Sequence, residues 1–131
     1  MDPRDAIAET YQRLGTSVVE AHHVAAALLD LDPDERAFLS LVLCDGEIAS
    51  GGFYRLLGHR SGQAAIVAIE GAQRFGLDRH ARLLIEALAA LWEQGERDPA
   101  SRFAELDGEW LAVEPDLRHA LLGYAESRAD T

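Results

Sequence analysis

Every proline in this chain follows an acid: Asp2-Pro3, Asp32-Pro33, Asp98-Pro99 and Glu114-Pro115. No other feature constrains the fold as tightly. Proline suits the first position of a helix, where its missing N–H would have no partner anyway. An acid just before it can accept a hydrogen bond from the exposed N–H groups of the first turn. The four dipeptides are therefore four expected helix starts. Asp32-Pro33-Asp34-Glu35 also places an acid where a capping box needs one.

The apolar spacing between these starts is helical. Leu77, Ala81, Leu84, Ile85, Leu88, Leu91 and Trp92 fall on one helix face. Leu117, Ala120, Leu121, Tyr124 and Ala125 do the same near the end. Phe103, Leu106, Trp110 and Val113 form a shorter stripe. Ala65, Ile66, Ile69 and Ala72 mark another, with Gly76 as its C-terminal cap. The run from Val18 to Leu31 reads as helix, and "FLSLVL" (38–43) joins the helix that starts at Asp32. No convincing strand pattern, repeat or linker interrupts the series. The expected fold is all-α: a single compact domain over residues 1–131, a bundle of about seven helices. The chain has 131 residues, 48% of them apolar, which suits one domain with a real core.

The bulk numbers also exclude function classes. No segment is apolar for the roughly 18 residues that a membrane span needs. The first ten residues are charged and lack a signal-peptide core, so the expected compartment is the cytoplasm. Cys44 is alone and reads as a small buried apolar residue. There are 23 acids against 12 bases, every base is arginine, and the net charge is −11. Such a charge opposes direct binding of nucleic acid or of an anionic membrane. It suits a basic protein surface as partner.

One stretch breaks the helical series: "EIASGGFYRLLGH", residues 47–59. Gly51 and Gly52 can take backbone angles that other residues avoid. They end the helix that carries Glu47, and Phe53 opens a short apolar turn. The structural reading is a packed corner with Phe53 and Leu57 inward and Glu47 accepting freed backbone N–H groups. A sharper reading makes Glu47, Ser50 and His59 a catalytic or binding trio, but nothing in their spacing fixes the geometry such a trio requires.

The corner, the following "S-G", the helix "QAAIVAIEGAQRFGLDRHARLLIEAL" and the later "RFAELDGEW" together resemble the bacterial DNA-mimic protein family, the one named for DNA-mimic protein nineteen. The likeness covers about residues 38–126. Ser50 stands where that family usually has asparagine, and "LLGHR" replaces its usual aromatic pair. The resemblance implies an all-α fold, a homodimer and, in the best-known member, carboxylates that imitate phosphates on the DNA-reading surface of a helix-turn-helix repressor. It implies fold more strongly than activity, because the shared corner (Glu47, Gly51, Gly52 and Phe53) is a fold signature and not a mimic surface.

The acids are unevenly spread. Residues 30–52 hold six acids and one arginine, and residues 96–131 hold nine acids and four arginines. Residues 53–82 hold two acids and five arginines. Asp2, Asp5, Asp32, Asp34, Glu35, Asp78, Asp98, Glu114 and Asp116 fall at expected helix starts, where capping and the helix dipole favour them. The candidates for a partner-binding acidic surface are Asp30, Asp45, Glu93, Glu96, Glu105, Asp107, Glu109, Glu114 and Glu126.

Enzyme chemistry has one pattern to weigh. Glu20 with His23, and Asp116 with His119, place an acid three residues before a histidine, as di-iron bundles do on two helices. Glu47, Glu70 or Glu86 would have to complete the site. Zinc fits less well, since adjacent His22 and His23 point about 100° apart on a helix. His80 and His119 read as surface residues. Trp92, Phe103, Trp110 and Tyr124 read as core. No phosphate loop, nucleophile elbow or protease signature is present. The expectation is a non-catalytic domain without cofactor or metal that binds a basic protein surface, such as that of a DNA-binding transcription regulator. The alternatives are a helical metal-dependent enzyme and an immunity-like or scaffold protein unconnected with DNA.

Overall fold

A computed structural model describes residues 3–19, 23–58, 62–92 and 99–129. They form six helices and no strand: α1 Pro3–Val19, α2 Val24–Leu29, α3 Pro33–Gly58, α4 Gln63–Arg74, α5 Asp78–Trp92 and α6 Pro99–Ala129. Among the described residues the fold is the expected all-α bundle, one helix short of seven.

Three of the four acid-proline pairs precede a helix that begins on the proline. The cap at Asp32 is explicit: its Oδ1 accepts the N–H groups of Asp34 at 3.0 Å and Glu35 at 3.1 Å. The fourth pair does not start a helix. Pro115 lies inside α6, which runs on from Pro99 to Ala129. The two stripes read from the sequence on either side of Pro115 belong to this one helix. Packing supplies the reason. Phe103, Leu106, Trp110, Leu117, Leu121 and Ala125 are all buried in one core cluster. A continuous helix keeps them on one face, and that burial offsets the single hydrogen bond that proline deletes.

Two further expectations are corrected. The run from Val18 to Leu31 is not one helix, because α1 ends at Val19 and α2 starts at Val24. His23 has φ −115° and ψ 88°, outside the helical region, and its carbonyl accepts the Ala27 N–H at 3.0 Å. The inward face of α4 is made of small residues: Ala64, Ala65, Ala68 and Ala72 are buried, whereas Ile66 is 59% exposed. Small side chains let α4 lie close on α3, and a Cβ added at Gly71 would stand 2.8 Å from the Ala37 Cα.

The α4–α5 turn follows the expected cap. Gly76 has φ +73°. Its N–H reaches the Gln73 carbonyl at 3.2 Å, and the Leu77 N–H reaches Ala72 at 2.7 Å. That pair of bonds is a Schellman closure, which needs the left-handed glycine. Beyond it, α5 buries His80, Ala81, Leu83, Leu84 and Ala87. The buried face is rotated from the one read in the sequence: Ile85 is exposed, and Trp92 is 72% exposed instead of core. α6 supplies the reason, since Trp110 takes the space against His80, with ring centroids 4.9 Å apart and edge on.

Candidate functional site

The corner is built by two segments 54 positions apart. Gly51 and Gly52 leave the helical region inside α3, with Gly52 at φ +73° and ψ −172°. The break frees the N–H groups of the turn that follows. The Asp107 Oδ1 of α6 accepts the Phe53 N–H at 2.8 Å. Thus Asp107, not Glu47, caps the restarted helix. Glu47 instead pairs with Arg55 across the break, Oε2 to Nε, at 2.9 Å. A Cβ built at Gly52 would run into the Asp107 carboxylate, so this position needs glycine for space as well as for angle.

A second tie lies one turn further along α6. Trp110 donates its Nε1 hydrogen to Asp45 Oδ1 at 2.9 Å. Its ring also meets Phe53 edge on, with centroids 5.7 Å apart. Burial pushes the Asp45 carboxyl above the usual carboxylate range, against the Trp110 hydrogen bond. The two motifs "EIASGGF" and "RFAELDGEW" are therefore one packed unit.

Beside this unit a half-open groove of about 790 Å³ runs between α1, α3 and α6. Ile7 and Tyr11 of α1 form one wall, with Val42 and Ile48 of α3 and Leu121 of α6 also lining it. Asp45, Asp107 and Glu114 supply its carboxylates, and Arg118 its cation. Glu114 holds that guanidinium through both carboxylate oxygens, at 2.6 and 2.8 Å. Burial, and Glu47 nearby, push the Tyr11 hydroxyl above its usual range.

The nine candidate acids thus fall in different places. Asp45, Asp107 and Glu114 line the groove. Glu105, Glu109 and Glu126 are exposed on the opposite side of α6. Asp30 is exposed at the end of α2. Glu93 and Glu96 lie outside the described residues. Asp116 joins the outer group, since a residue inside α6 is not at a helix start. Positions 105, 109, 112, 116, 119, 123 and 126 are all exposed and repeat at steps of three and four. At 100° per residue the carboxylates of Glu105, Glu109, Asp116 and Glu126 share a sector about 100° wide. At 1.5 Å per residue they span about 32 Å. This face of α6 carries four acids, one histidine (His119) and no arginine. The spacing was legible in the sequence, but reading Pro115 as a helix start hid it.

Most of the described arginines leave that face uncompensated. Arg36, Arg55, Arg74, Arg118 and Arg128 each pair with an acid elsewhere: Glu70, Glu47, Asp34, Glu114 and Glu35. Among the described residues only Arg102 reaches the stripe, bridging Glu105 at 2.7 Å and Glu86 at 3.0 Å.

The histidine pattern has a different outcome. Glu20, His22 and His59 lie outside the described residues. His23 and His119 are exposed. Among the described residues no three metal-ligating side chains converge. His80, expected on the surface, is 1% exposed, and neither ring nitrogen has a hydrogen-bond partner. Burial lowers its pKa, while the Val113 carbonyl and the Asp116 and Glu114 carboxylates oppose that shift. Cys44 is fully buried, and burial pushes its thiol up. No helix among the described residues is long and apolar enough to cross a membrane.

These features define an acidic all-α bundle whose broken helix is capped from a distant one. Residues 29–128 match the DMP19-like protein family, and the chain belongs to that family. No curated protein and no solved structure matches the chain.

Proposed function

We propose that this is a non-catalytic acidic domain that binds a basic protein surface through the outer face of α6. The observation that carries the reading is the run Glu105, Glu109, Asp116 and Glu126, exposed along one face that holds His119 but no arginine. Carboxylates held on a rigid helix attract a cationic surface at long range and fix its register. The DNA-reading surface of a helix-turn-helix regulator has the required chemistry, and the family resemblance favours that partner.

Charge density decides how the contact is made. Duplex DNA carries one charge per ~1.7 Å of axis, whereas α6 offers four over about 32 Å. A single helix therefore meets a few selected basic side chains and does not trace a phosphate backbone. Closer mimicry requires carboxylates from other elements beside that face.

The test is affinity capture from a lysate of the native host, comparing the native chain with the variant E105Q/E109Q/D116N/E126Q. The expected result is a basic protein retained by the native chain, released by duplex DNA and by added salt, and lost from the variant. Equal capture by both chains, or capture indifferent to salt, would refute the reading.

A further inference from the structure

We infer that the groove between α1, α3 and α6 seats an apolar anchor of the partner protein with a basic side chain beside it, an inference that rests on the protein-binding reading above.

The walls set the shape of the occupant. The groove-lining residues of α6 run from Asp107 to Leu121, about 21 Å along a helix. It is not an enclosed cavity, so it suits an extended or helical segment better than a buried small molecule. Val42, Ile48, Leu121 and Tyr11 offer it apolar contact, and Leu111 stands at its edge 74% exposed. An amphipathic segment that lays a few apolar side chains into such a groove is a recurring mode of recognition.

The polar groups set the charge. Glu114 and Arg118 neutralise each other, which leaves Asp45 and Asp107. Each gives one oxygen to an internal donor, Trp110 Nε1 or the Phe53 N–H. Among the described residues the second oxygen of each has no hydrogen-bond donor. A cationic group from the partner supplies one. An acidic segment would be repelled by the same pair. A second copy of this chain is a poor occupant, because it carries a net charge of −11 and most of its described arginines are held in ion pairs.

The test uses the full chain and a fluorescent amphipathic peptide with leucine on one face and arginine on the other. One control replaces leucine by serine and another replaces arginine by glutamate. Ala49 lines the groove and is exposed, so Ala49→Trp fills it without disturbing the core. Leu111→Ser removes the exposed apolar edge. On this inference the leucine–arginine peptide binds, and both controls bind at least tenfold more weakly. Each substitution costs roughly tenfold in affinity, and amide shifts on binding cluster at Val42, Ile48, Ala49 and Leu111. Should circular dichroism show that A49W fails to fold, L111S carries the test. Unchanged affinity in the folded variants overturns the inference, as does an equally tight serine–arginine control. The latter leaves the charge-based reading of α6 intact. Absence of peptide binding overturns it too, and so does a self-associated chain that L111S converts to monomer.

Discussion

The Asp107 carboxylate accepts the Phe53 N–H at 2.8 Å, and so fastens α6 to the break in α3. One acid on one helix thereby supplies the cap that another helix lost when its backbone turned at Gly51 and Gly52. The arrangement shapes both the corner and the adjoining end of the groove, which both Gly52 and Asp107 line.

Gly52→Ala should be among the most damaging single changes. It adds the cost of a backbone at φ +73° and ψ −172°, a region nearly confined to glycine and worth about 1–3 kcal/mol, to a collision with the Asp107 carboxylate. Gly76 has the same φ of +73° but nothing within 4 Å of an added Cβ. Gly76→Ala should therefore cost only the left-handed backbone term, about 1–2 kcal/mol. Urea denaturation of the two variants side by side sets the joint cost of angle and collision at Gly52 against a helix C-cap with free space, and equal losses would refute the role given to Asp107.

Removing the cap itself gives a second comparison. Asp107→Ala should cost about 1–2 kcal/mol, within the range for helix N-caps. Asp107→Asn keeps an acceptor and should retain most of that stability. If both substitutions cost the same, the Phe53 hydrogen bond is not what stabilises the corner.

Pro115 leaves α6 one backbone hydrogen bond short. Pro115→Ala restores a donor at an exposed position, and thermal unfolding should show a gain of about 1–2 kcal/mol. A loss would mean that the proline sets a bend on which α6 packing depends.

His80 makes stability depend on pH. Its pKa is lowered in the folded chain, so the folded state binds fewer protons than the unfolded one below the ordinary value of 6.5. Its contribution is complete above that value and is lost as pH falls from there toward the lowered pKa. Unfolding free energy should decline as pH falls from neutral through 6.5 toward the lowered pKa. His80→Phe should flatten that decline, as measured by denaturant titration at several pH values. Asp45 has the opposite sign, because its raised pKa favours the folded state as the group protonates. Its window runs from the ordinary carboxylate range up to its raised value.

Helix content and most of the order of helices could be read from the chain, because they rest on local physics. Proline after an acid marks a helix start through the geometry of the first turn alone, and Asp32 acts as its type and position require. Gly76 likewise closes α4 because no other residue takes that angle so cheaply. The Gly-Gly-Phe corner and the "RFAELDGEW" segment were visible as separate signals. Tertiary structure decided what joined them, since a carboxylate that caps a helix 54 positions away leaves no mark in local spacing. It also decided that Glu114-Pro115 would not end a helix, because burying Trp110 and Leu117 on one continuous face outweighs one missing hydrogen bond. The turning of α5, which buries His80 and exposes Trp92, came from the shape of α6 beside it. So did the sorting of the acids into an outer face and a groove: charge is fixed by composition, but its direction is fixed by which side of a helix the core claims.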